Sequence, residues 1–235
     1  MKNFALIALA TLLFPACQLD CIQATGPVEE RTLELASFTA MEVSGTAHVT
    51  VEKGPQQRVV VTGQPEVIDL LETGVSRGVW AIRTRQCWSS VEGLSIHITT
   101  PAELTSVEVT GSAEVDAGRV FGLERTTLST TGSGSIRVAE INAKELKLKI
   151  TGSGSITARG TCALLAGSLS GSGDLHAADL AANAVDLQVS GSGSATVMAI
   201  TSLDAEVSGS GEVRYSGKPQ VKASISGSGS VLPLP

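Results

Sequence analysis

The sequence predicts an all-β protein: a right-handed parallel β-helix, or β-solenoid, with about 20 residues per coil and an atypical N-terminal β cap. The main observation is a Thr/Ser-Gly-Ser motif that recurs seven times, with its first glycine at positions 111, 132, 152, 171, 191, 209 and 227. A fixed period near twenty residues is typical of solenoids. Apolar and polar residues alternate on both sides of each motif, as in strands with one buried face. Copies of one strand that return after each coil run parallel, ~4.8 Å apart.

Columns of aliphatic residues appear when the seven copies are aligned on the first glycine. The column two residues before that glycine contains Val109, Thr130, Ile150, Leu169, Val189, Val207 and Ile225. The columns four residues before and four residues after it are similarly rich in aliphatic residues. Aromatic residues make up only 3% of the chain, so the core must be aliphatic. We therefore expect ladders of Val, Ile and Leu that stack from coil to coil.

The Gly-Ser-Gly step allows two backbone paths. If the strand runs straight through, both glycines face a narrow interior and the serine faces outward. If one glycine instead adopts a positive φ, it bends the chain at a corner and reverses the alternation, which buries the serine. A buried hydroxyl then needs a hydrogen-bond partner on the next coil. The second path is favoured, because corners need glycine and stacked hydroxyls can bond one another.

Both ends of a solenoid need protection from edge-to-edge strand pairing. Residues 32–104 are predicted to form the N-terminal cap, continuous with the repeats at 105–235. Within the cap, the sequence predicts strands at 40–44, 48–51, 59–62, 79–84 and 94–99 and a short helix over 65–72. Gly45 lies in a degenerate copy of the repeat. At the other end, Pro233 and Pro235 cannot extend a ladder.

Residues 1–16 are predicted to be a signal peptide, because a basic start precedes an apolar run that is too short to span a bilayer. The run ends in a sequence that resembles the lipobox of bacterial lipoproteins, which implies cleavage before Cys17 and acylation of Cys17. Residues 17–31 then form a tether, and Gln18 favours the outer membrane by the sorting rule of enteric bacteria. The alternative is an ordinary export signal that is cut further on, for example after Ala24. Both interpretations send the protein out of the cytoplasm, and the lipobox places it in the cell envelope, as an outer-membrane-anchored lipoprotein or at the cell surface.

Composition excludes several functions. The net charge is −6, from 17 basic and 23 acidic residues, which argues against nucleic-acid binding and against a basic membrane-binding patch. The lipid anchor is then the only membrane contact expected. Once Cys17 is acylated, Cys21, Cys87 and Cys162 remain, enough for one disulfide and one free thiol. Because no Cys-x-x-Cys pair is present, no metal and no other cofactor is expected.

Catalytic residues are not expected either. Polysaccharide lyases and hydrolases occur among parallel β-helices, but their chemistry needs carboxylates held close together. The column three residues after the first glycine contains Glu114, Asp174 and Glu212, never in neighbouring coils. The only weak candidates for ligand contact are Trp80 and Trp88, because an indole ring can pack on the face of a sugar. The alternative is that Trp80 belongs to the core of the cap.

Three features carry a resemblance to a known bacterial family. They are residues 38–45, which read Phe-Thr-Ala-Met-Glu-Val-Ser-Gly, the serial Ser-Gly-Ser-Gly motifs, and residues 215–219, which read Tyr-Ser-Gly-Lys-Pro. Over residues 35–231 the chain resembles the family described as "putative auto-transporter adhesin, head GIN domain". The resemblance implies a β-solenoid at the cell envelope, with no established ligand or reaction. We therefore expect a non-enzymatic adhesin or scaffold that binds an envelope or surface protein or glycan. The alternative is a carbohydrate-binding or polysaccharide-active β-helix protein.

Overall fold

The described part of the chain is mostly β-strand, with one short helix. The computed structural model describes residues 21–122 and 124–235. The N-terminal part contains β1 (Ile22–Gln23), β2 (Glu29–Leu33), β3 (Ala40–Gly45), β4 (His48–Lys53), β5 (Arg58–Gly63), α1 (Pro65–Ile68), β6 (Val75–Ser76), β7 (Val79–Ile82), β8 (Trp88–Ser89) and β9 (Ser95–Thr100). The repeats contain β10 (Ser106–Gly111), β11 (Glu114–Ala117), β12 (Arg125–Gly132), β13 (Ser135–Gly152), β14 (Ser155–Gly171), β15 (Asp174–Gly191), β16 (Ser194–Gly209), β17 (Glu212–Ser216), β18 (Gln220–Gly227) and β19 (Ser230–Pro233).

The strands of the repeats stack in parallel with the first glycine of each motif in register. Val109 pairs with Thr130, and Thr130 pairs with Ile150, as the aligned columns predict. Gly45 of β3 pairs with Gly111 of β10, so the degenerate copy is the first coil that carries the glycine motif. The side chains of these columns are buried and form one continuous aliphatic core. The predicted parallel β-solenoid of about twenty residues per coil is therefore confirmed.

The coils of β13 to β16 each have three paired sides separated by three corners. In the coil that contains β13, we name residues 135–138 side A, 141–143 side B and 145–152 side C, and we use the same letters for equivalent residues elsewhere. The register shifts between sides A and B, and no partner is paired with Lys144 between sides B and C. Two consecutive residues that are not buried mark each of these corners, at 139–140 and 144–145. The third corner is the Gly-Ser-Gly step.

The Gly-Ser-Gly corner confirms one part of its prediction and corrects another. The first glycine has a positive φ in every copy, for example +109° at Gly152, as a corner requires. The serine is exposed rather than buried, as Ser153 shows, so that part of the prediction was wrong. The reason is that the second glycine, Gly154, turns back into the interior, which leaves only the serine side chain outside. The serine backbone N–H is satisfied instead, because that of Ser153 donates to the Gly132 carbonyl at 2.8 Å.

The N-terminal end is closed by a cap of mixed topology. Strand β3 pairs with β7, and β4 pairs with β9, both parallel to the coils. Strand β5 then runs antiparallel to β9 on one side and to β2 on the other. The five predicted cap strands match β3, β4, β5, β7 and β9, although the fourth ends two residues early, at Ile82. The predicted helix over 65–72 is shorter than expected, since α1 ends at Ile68.

Residues 21–31 belong to this cap, which corrects the predicted tether over 17–31. Strand β1 pairs with β8, and a disulfide joins Cys21 to Cys87 beside that pairing. Strand β2 begins at Glu29 and pairs with β5. The sequence analysis missed this because two short polar strands held by a distant disulfide leave no periodic signal. The signal peptide, Cys17 and the first residues of the tether lie outside the described residues.

The C-terminal end has no comparable cover among the described residues. Strand β18 pairs only with β16, and β19 pairs only with β17. Every residue of β18 is exposed, although its alternate residues continue the interior columns. Pro233 ends β19 at this edge, where a residue without an N–H is tolerated.

Candidate functional site

A ladder of exposed hydroxyl groups follows the Gly-Ser-Gly corner along the solenoid. It consists of the residues just before and just after the first glycine of each coil, which we call the hydroxyl ladder. Its members are Ser44, Thr46, Thr110, Ser112, Thr131, Ser133, Thr151, Ser153, Ser170, Ser172, Ser190, Ser192, Ser208, Ser210, Ser226 and Ser228. All are exposed except Thr151, which is half-buried. Parallel pairing spaces neighbouring hydroxyl pairs ~4.8 Å apart.

The corner stays narrow because its glycines permit close approach of successive coils. A Cβ on Gly152 would lie 2.6 Å from the Gly132 carbonyl oxygen, and one on Gly154 would lie 2.5 Å from the Gly134 carbonyl oxygen. Neither distance is compatible with a side chain. The hydroxyls therefore project from a backbone ridge without bulky neighbours. The repeat sequence thus determines both the position and the accessibility of the ladder.

Ion pairs between coils cover much of the outer surface. Arg125 bonds Glu145 at 2.7 Å, and Lys144 bonds Glu124 at 2.8 Å, each across about twenty residues of sequence. The Arg125 guanidinium holds the pKa of the Glu145 carboxyl below its ordinary value. These pairs are solvent-exposed, so water and salt screen them and each adds little to stability. The pairs place opposite charges next to each other on the outer surface of the coils, but they do not enclose a binding site.

A small charged cluster lies on side A near the cap. His48 approaches Glu114 at 3.8 Å and Asp116 at 3.6 Å, while Arg137 approaches the same two carboxylates at 3.6 and 3.5 Å. All four side chains are between one third and about one half exposed. Because basic groups flank the two carboxylates, the cluster is an exposed ion-pair network rather than a desolvated acid–base pair.

The predicted separation of carboxylates in the column after the corner is confirmed by the register. Glu114 lies between His48 and Ser135. Asp174 lies between Ser155 and Ser194, and the Ser194 hydroxyl donates to its carboxylate at 2.5 Å. No two acids of this column face each other in the described coils. The column therefore lacks the paired carboxylates that glycoside chemistry requires.

A different column does bring two carboxylates together, which the sequence analysis missed. On side C, Asp186 and Asp204 are register partners on adjacent coils, and Lys222 follows on the next coil. Lys222 Nζ bonds Asp204 Oδ2 at 2.7 Å, and this contact raises the pKa of the lysine. The Asp204 side chain is 52% exposed. The signal was present in the sequence, but only the column after the glycine was compared.

A shallow groove on side C lies next to this pair. Its volume is about 360 Å³. Small residues, Ala166 and Ser168, form its floor, Lys147 and Lys149 line one wall, and Asp186 lines the other. The groove exists because the coil at β14 has small outward side chains between two coils with long ones. It is open to solvent along its length.

The two tryptophans occupy different environments. Trp80 is fully buried, its ring lies 5.5 Å from that of Phe38, and its Nε1 donates to the Glu72 carbonyl at 3.0 Å. A ring enclosed in this way offers no face to a ligand. Trp88 is half-buried beside Arg83 and the first hydroxyls of the ladder, around a hollow of about 240 Å³. Ligand contact therefore remains a prediction for Trp88 alone.

The free thiol lies in the core. Cys162 is buried on side B between Ala143 and Ala182 of the adjacent coils. Burial raises the pKa of its thiol to about 11. Within residues 21–122 and 124–235, no group of three or more His, Cys, Asp or Glu side chains is arranged to hold a metal ion. The same part of the chain contains no helix that is long and apolar enough to cross a membrane.

These features define a parallel β-solenoid with a capped N-terminal end and a hydroxyl-bearing corner. The model of one family, described as "putative auto-transporter adhesin, head GIN domain", matches residues 37–219. The chain belongs to this family. An adhesin-like family indicates a surface or exported protein. The chain matches no curated protein.

Solved structures with the same fold come from species of Bacteroides and Parabacteroides. A "putative adhesin" from Bacteroides fragilis NCTC 9343 has a TM-score of 0.84 and 21% identity, and the match covers 91% of this chain and 100% of that one. A "putative lipid binding protein" from Parabacteroides distasonis ATCC 8503 has a TM-score of 0.73 and 24% identity, covering 91% and 99%. A "putative adhesin" from Parabacteroides merdae ATCC 43184 has a TM-score of 0.74 and 19% identity, covering 92% and 100%. At these identities the likeness shows the fold alone.

Proposed function

We propose that this protein is a non-enzymatic module of the cell envelope that binds a surface protein or glycan as an adhesin or scaffold. The observation that carries the proposal is the hydroxyl ladder. Eight successive coils present the same pair of hydroxyl positions at a fixed spacing on a rigid ridge. An extended ligand that lies along the ridge can form one hydrogen bond after another, each individually modest.

The absence of an enclosed acid–base pair among the described residues supports the non-enzymatic part of the proposal. General acid–base catalysis relies on groups whose pKa values are shifted by burial and neighbours. Two pairs of acids are register partners on adjacent coils, Asp186 with Asp204 and Glu42 with Glu108. Both pairs lie on the open outer surface, and Lys222 neutralises Asp204. Their positions are suited to an ion-paired surface.

The disulfide supports lipid anchoring at Cys17. A signal peptide cut after Ala24 would remove Cys21 and with it the bond to Cys87. Cleavage before Cys17 retains that bond, and an oxidising envelope compartment allows it to persist. The link from Cys17 to Cys21 is only four residues, at most about 14 Å when extended. The cap would therefore lie next to the membrane, with the open C-terminal coil directed away from it.

A binding screen with variants of the ladder tests the proposed function. The protein is residues 21–235, which contain the whole described fold, applied to a glycan array and to envelope extracts. Ser133→Lys together with Ser153→Lys places bulky charges on the middle of the ladder. We expect these changes to reduce binding at least tenfold, whereas Lys147→Ser with Lys149→Ser, on side C, leaves binding unchanged. If no glycan and no envelope protein binds the unmodified protein, the proposal is wrong.

A second candidate function rests on the side C groove. Adjacent-coil carboxylates beside a groove are the arrangement that a polysaccharide-active β-helix would use. Asp186→Asn and Asp204→Asn would abolish saccharide cleavage if that function exists. Cleavage of any polysaccharide by the unmodified protein, lost in these variants, would replace the adhesin proposal.

Anchoring is tested separately in cells. We expect Cys17→Ala to move the protein from the membrane fraction to the soluble envelope fraction. Cys162→Ala, which changes a buried thiol on side B, serves as the control and stays with the membrane. Unchanged fractionation of the Cys17 variant would refute lipidation.

A further inference from the structure

The last coil exposes side chains that every other coil buries. Val221 and Ile225 of β18 continue the interior columns but are 42% and 46% exposed. Leu232 of β19, which is 48% exposed, lies on the outer face beside them, in register with Arg214. These are three of the seven large exposed hydrophobic residues in the described part of the chain. Isolated exposed apolar residues are ordinary, but a cluster over an open core indicates a contact surface.

The backbone of the last coil is equally unpaired. Strand β18 pairs with β16 along one edge, and its other edge has no partner among the described residues. Natural proteins block such edges with proline, charge or a covering segment. Here Pro219 precedes β18 and Pro233 ends β19, so the strand between them is free of proline. Its only charged residue, Lys222, is held by Asp204 of the preceding coil.

We propose that this end binds the same end of a second copy of the chain, through antiparallel pairing of the two β18 strands. The pairing is centred on Ala223, which faces Ala223 of the second copy. In this register Val221 faces Ile225, and Lys222 faces Ser224. No two like charges are directly opposed, and the residues that face each other belong to the same side of the sheet. The interface is two-fold symmetric, as in most homodimers.

The register follows from the sequence of β18 itself. In a two-fold symmetric antiparallel pair, a side chain that faces the core lies opposite another that faces the core only when the two-fold axis passes through a residue. An axis between two residues would place core-facing side chains opposite outward ones. A centre on Lys222 would bring two ammonium groups together, and one on Ser224 would place Lys222 opposite Ser226 and leave Val221 facing Gly227. The Ala223 centre alone covers both exposed aliphatic side chains of each copy with aliphatic partners. It also closes both interior cores.

This inference deepens the proposed adhesin function and rests on it. The dimer connects two surfaces only if each copy is anchored by a lipid on Cys17. Two copies joined at their C-terminal ends place their caps, and thus Cys17, at opposite ends of one rod. Eight coils rise ~34 Å in each copy, so the rod holds two anchors well over ~68 Å apart. Such a geometry connects two opposed membranes rather than two sites on one membrane. The partner is then another copy on a neighbouring surface.

Cysteine cross-linking in solution tests the register. In residues 21–235, Ala223→Cys places two thiols across the symmetry axis, within disulfide range. We expect mild oxidation to produce a covalent dimer. We also expect a mixture of the Val221→Cys and Ile225→Cys proteins to form a covalent heterodimer, whereas Val221→Cys alone forms no covalent dimer because its thiol faces Ile225. A covalent dimer of Val221→Cys alone, or none with Ala223→Cys, would overturn the proposed pairing.

Sedimentation and vesicle bridging test the association itself. The unmodified protein is expected to dimerise reversibly, and Val221→Glu with Ile225→Glu to weaken the dimer at least tenfold. Val91→Glu, a change at a 99% exposed valine in the cap, is the matched control and should dimerise normally. Vesicles of phosphatidylcholine with the protein attached through its N-terminus should aggregate only when β18 is unmodified. A monomer at all soluble concentrations refutes this inference, and ladder binding measured on the same protein still tests the proposed function independently.

Discussion

The two ends of the solenoid are finished in opposite ways. The N-terminal end is covered by antiparallel strands β2 and β5, by helix α1 and by the Cys21–Cys87 disulfide. At the C-terminal end, no other described strand covers β18, and its share of the interior columns is exposed. A solenoid with one covered end and one uncovered end can pair its strands with another molecule only at the uncovered end. The cap covers one end of the stack against the addition of strands, whereas the described part of the chain leaves the edge of β18 uncovered at the other end.

The largest expected effect concerns the capped end. Cys21→Ser with Cys87→Ser removes a disulfide that closes 66 residues, which the chain-entropy account values at about 4 kcal/mol of unfolding free energy. We expect denaturant unfolding of the cap at lower concentration than unfolding of the coils. Hydrogen exchange should increase in residues 40–100 and remain slow in 174–209, because each coil contacts only its neighbours. An equal increase in hydrogen exchange in both regions would contradict the expected separate unfolding of the cap.

A glycine pair compares the interior of the stack with its first coil. Gly152→Ala adds a Cβ 2.6 Å from a backbone oxygen at a φ of +109°, so we expect a loss of about 3 kcal/mol or more. Gly45→Ala has a φ of +95° but no atom within 4 Å of the added Cβ, so backbone strain alone should cost about 1–2 kcal/mol. Urea denaturation of both variants gives the comparison. Equal losses would show that coil contact contributes nothing.

A buried hydroxyl allows the middle of the solenoid to be stabilised. Thr130 occupies an interior column between Val109 and Ile150, and its Oγ1 is buried without a hydrogen-bond partner. Thr130→Val keeps the shape and removes the unsatisfied group, so we expect about 1 kcal/mol of added stability. Thr131→Val, on the exposed ladder, is the control and should change the melting temperature little. A less stable Thr130 variant would indicate a partner for the hydroxyl.

The smallest effect is a difference in thiol reactivity. Because burial raises the pKa of Cys162 to about 11, the folded protein should resist alkylation by iodoacetamide at pH 8 and react only above about pH 10. The unfolded thiol loses its proton first, near its ordinary pKa of 9.0, so this group makes stability fall as pH rises from 9 to 11. Mass spectrometry of the native and urea-treated protein gives the measurement. Equal labelling at pH 8 would place the thiol at the surface.

The repeats were predictable in detail because one physical rule applies to every coil. Identical register makes each residue stack on its counterpart, so Val109, Thr130 and Ile150 could be aligned from sequence alone. The cap strands were predictable as strands because their apolar residues alternate. Their antiparallel pairing was not, since alternation does not distinguish the partner or direction of a strand.

Other features depended on information that periodicity does not contain. The pairing of Cys21 with Cys87 requires knowledge of distance in space, which the spacing of three cysteines leaves open. The outward position of Ser153 depends on the two glycines that flank it. Gly152 bends the chain through its positive φ, and the buried Gly154 brings the chain back to the interior. The Asp186–Asp204 proximity was readable from the aligned copies, but it lies in a column away from the motif.

The constant step from one coil to the next makes the protein a spacer of adjustable length. Duplicating or deleting one twenty-residue unit within 135–191 would change its height by ~4.8 Å and leave the cap and the final coil as they are. Relatives with different numbers of units would then display the same final coil at different distances from the cap.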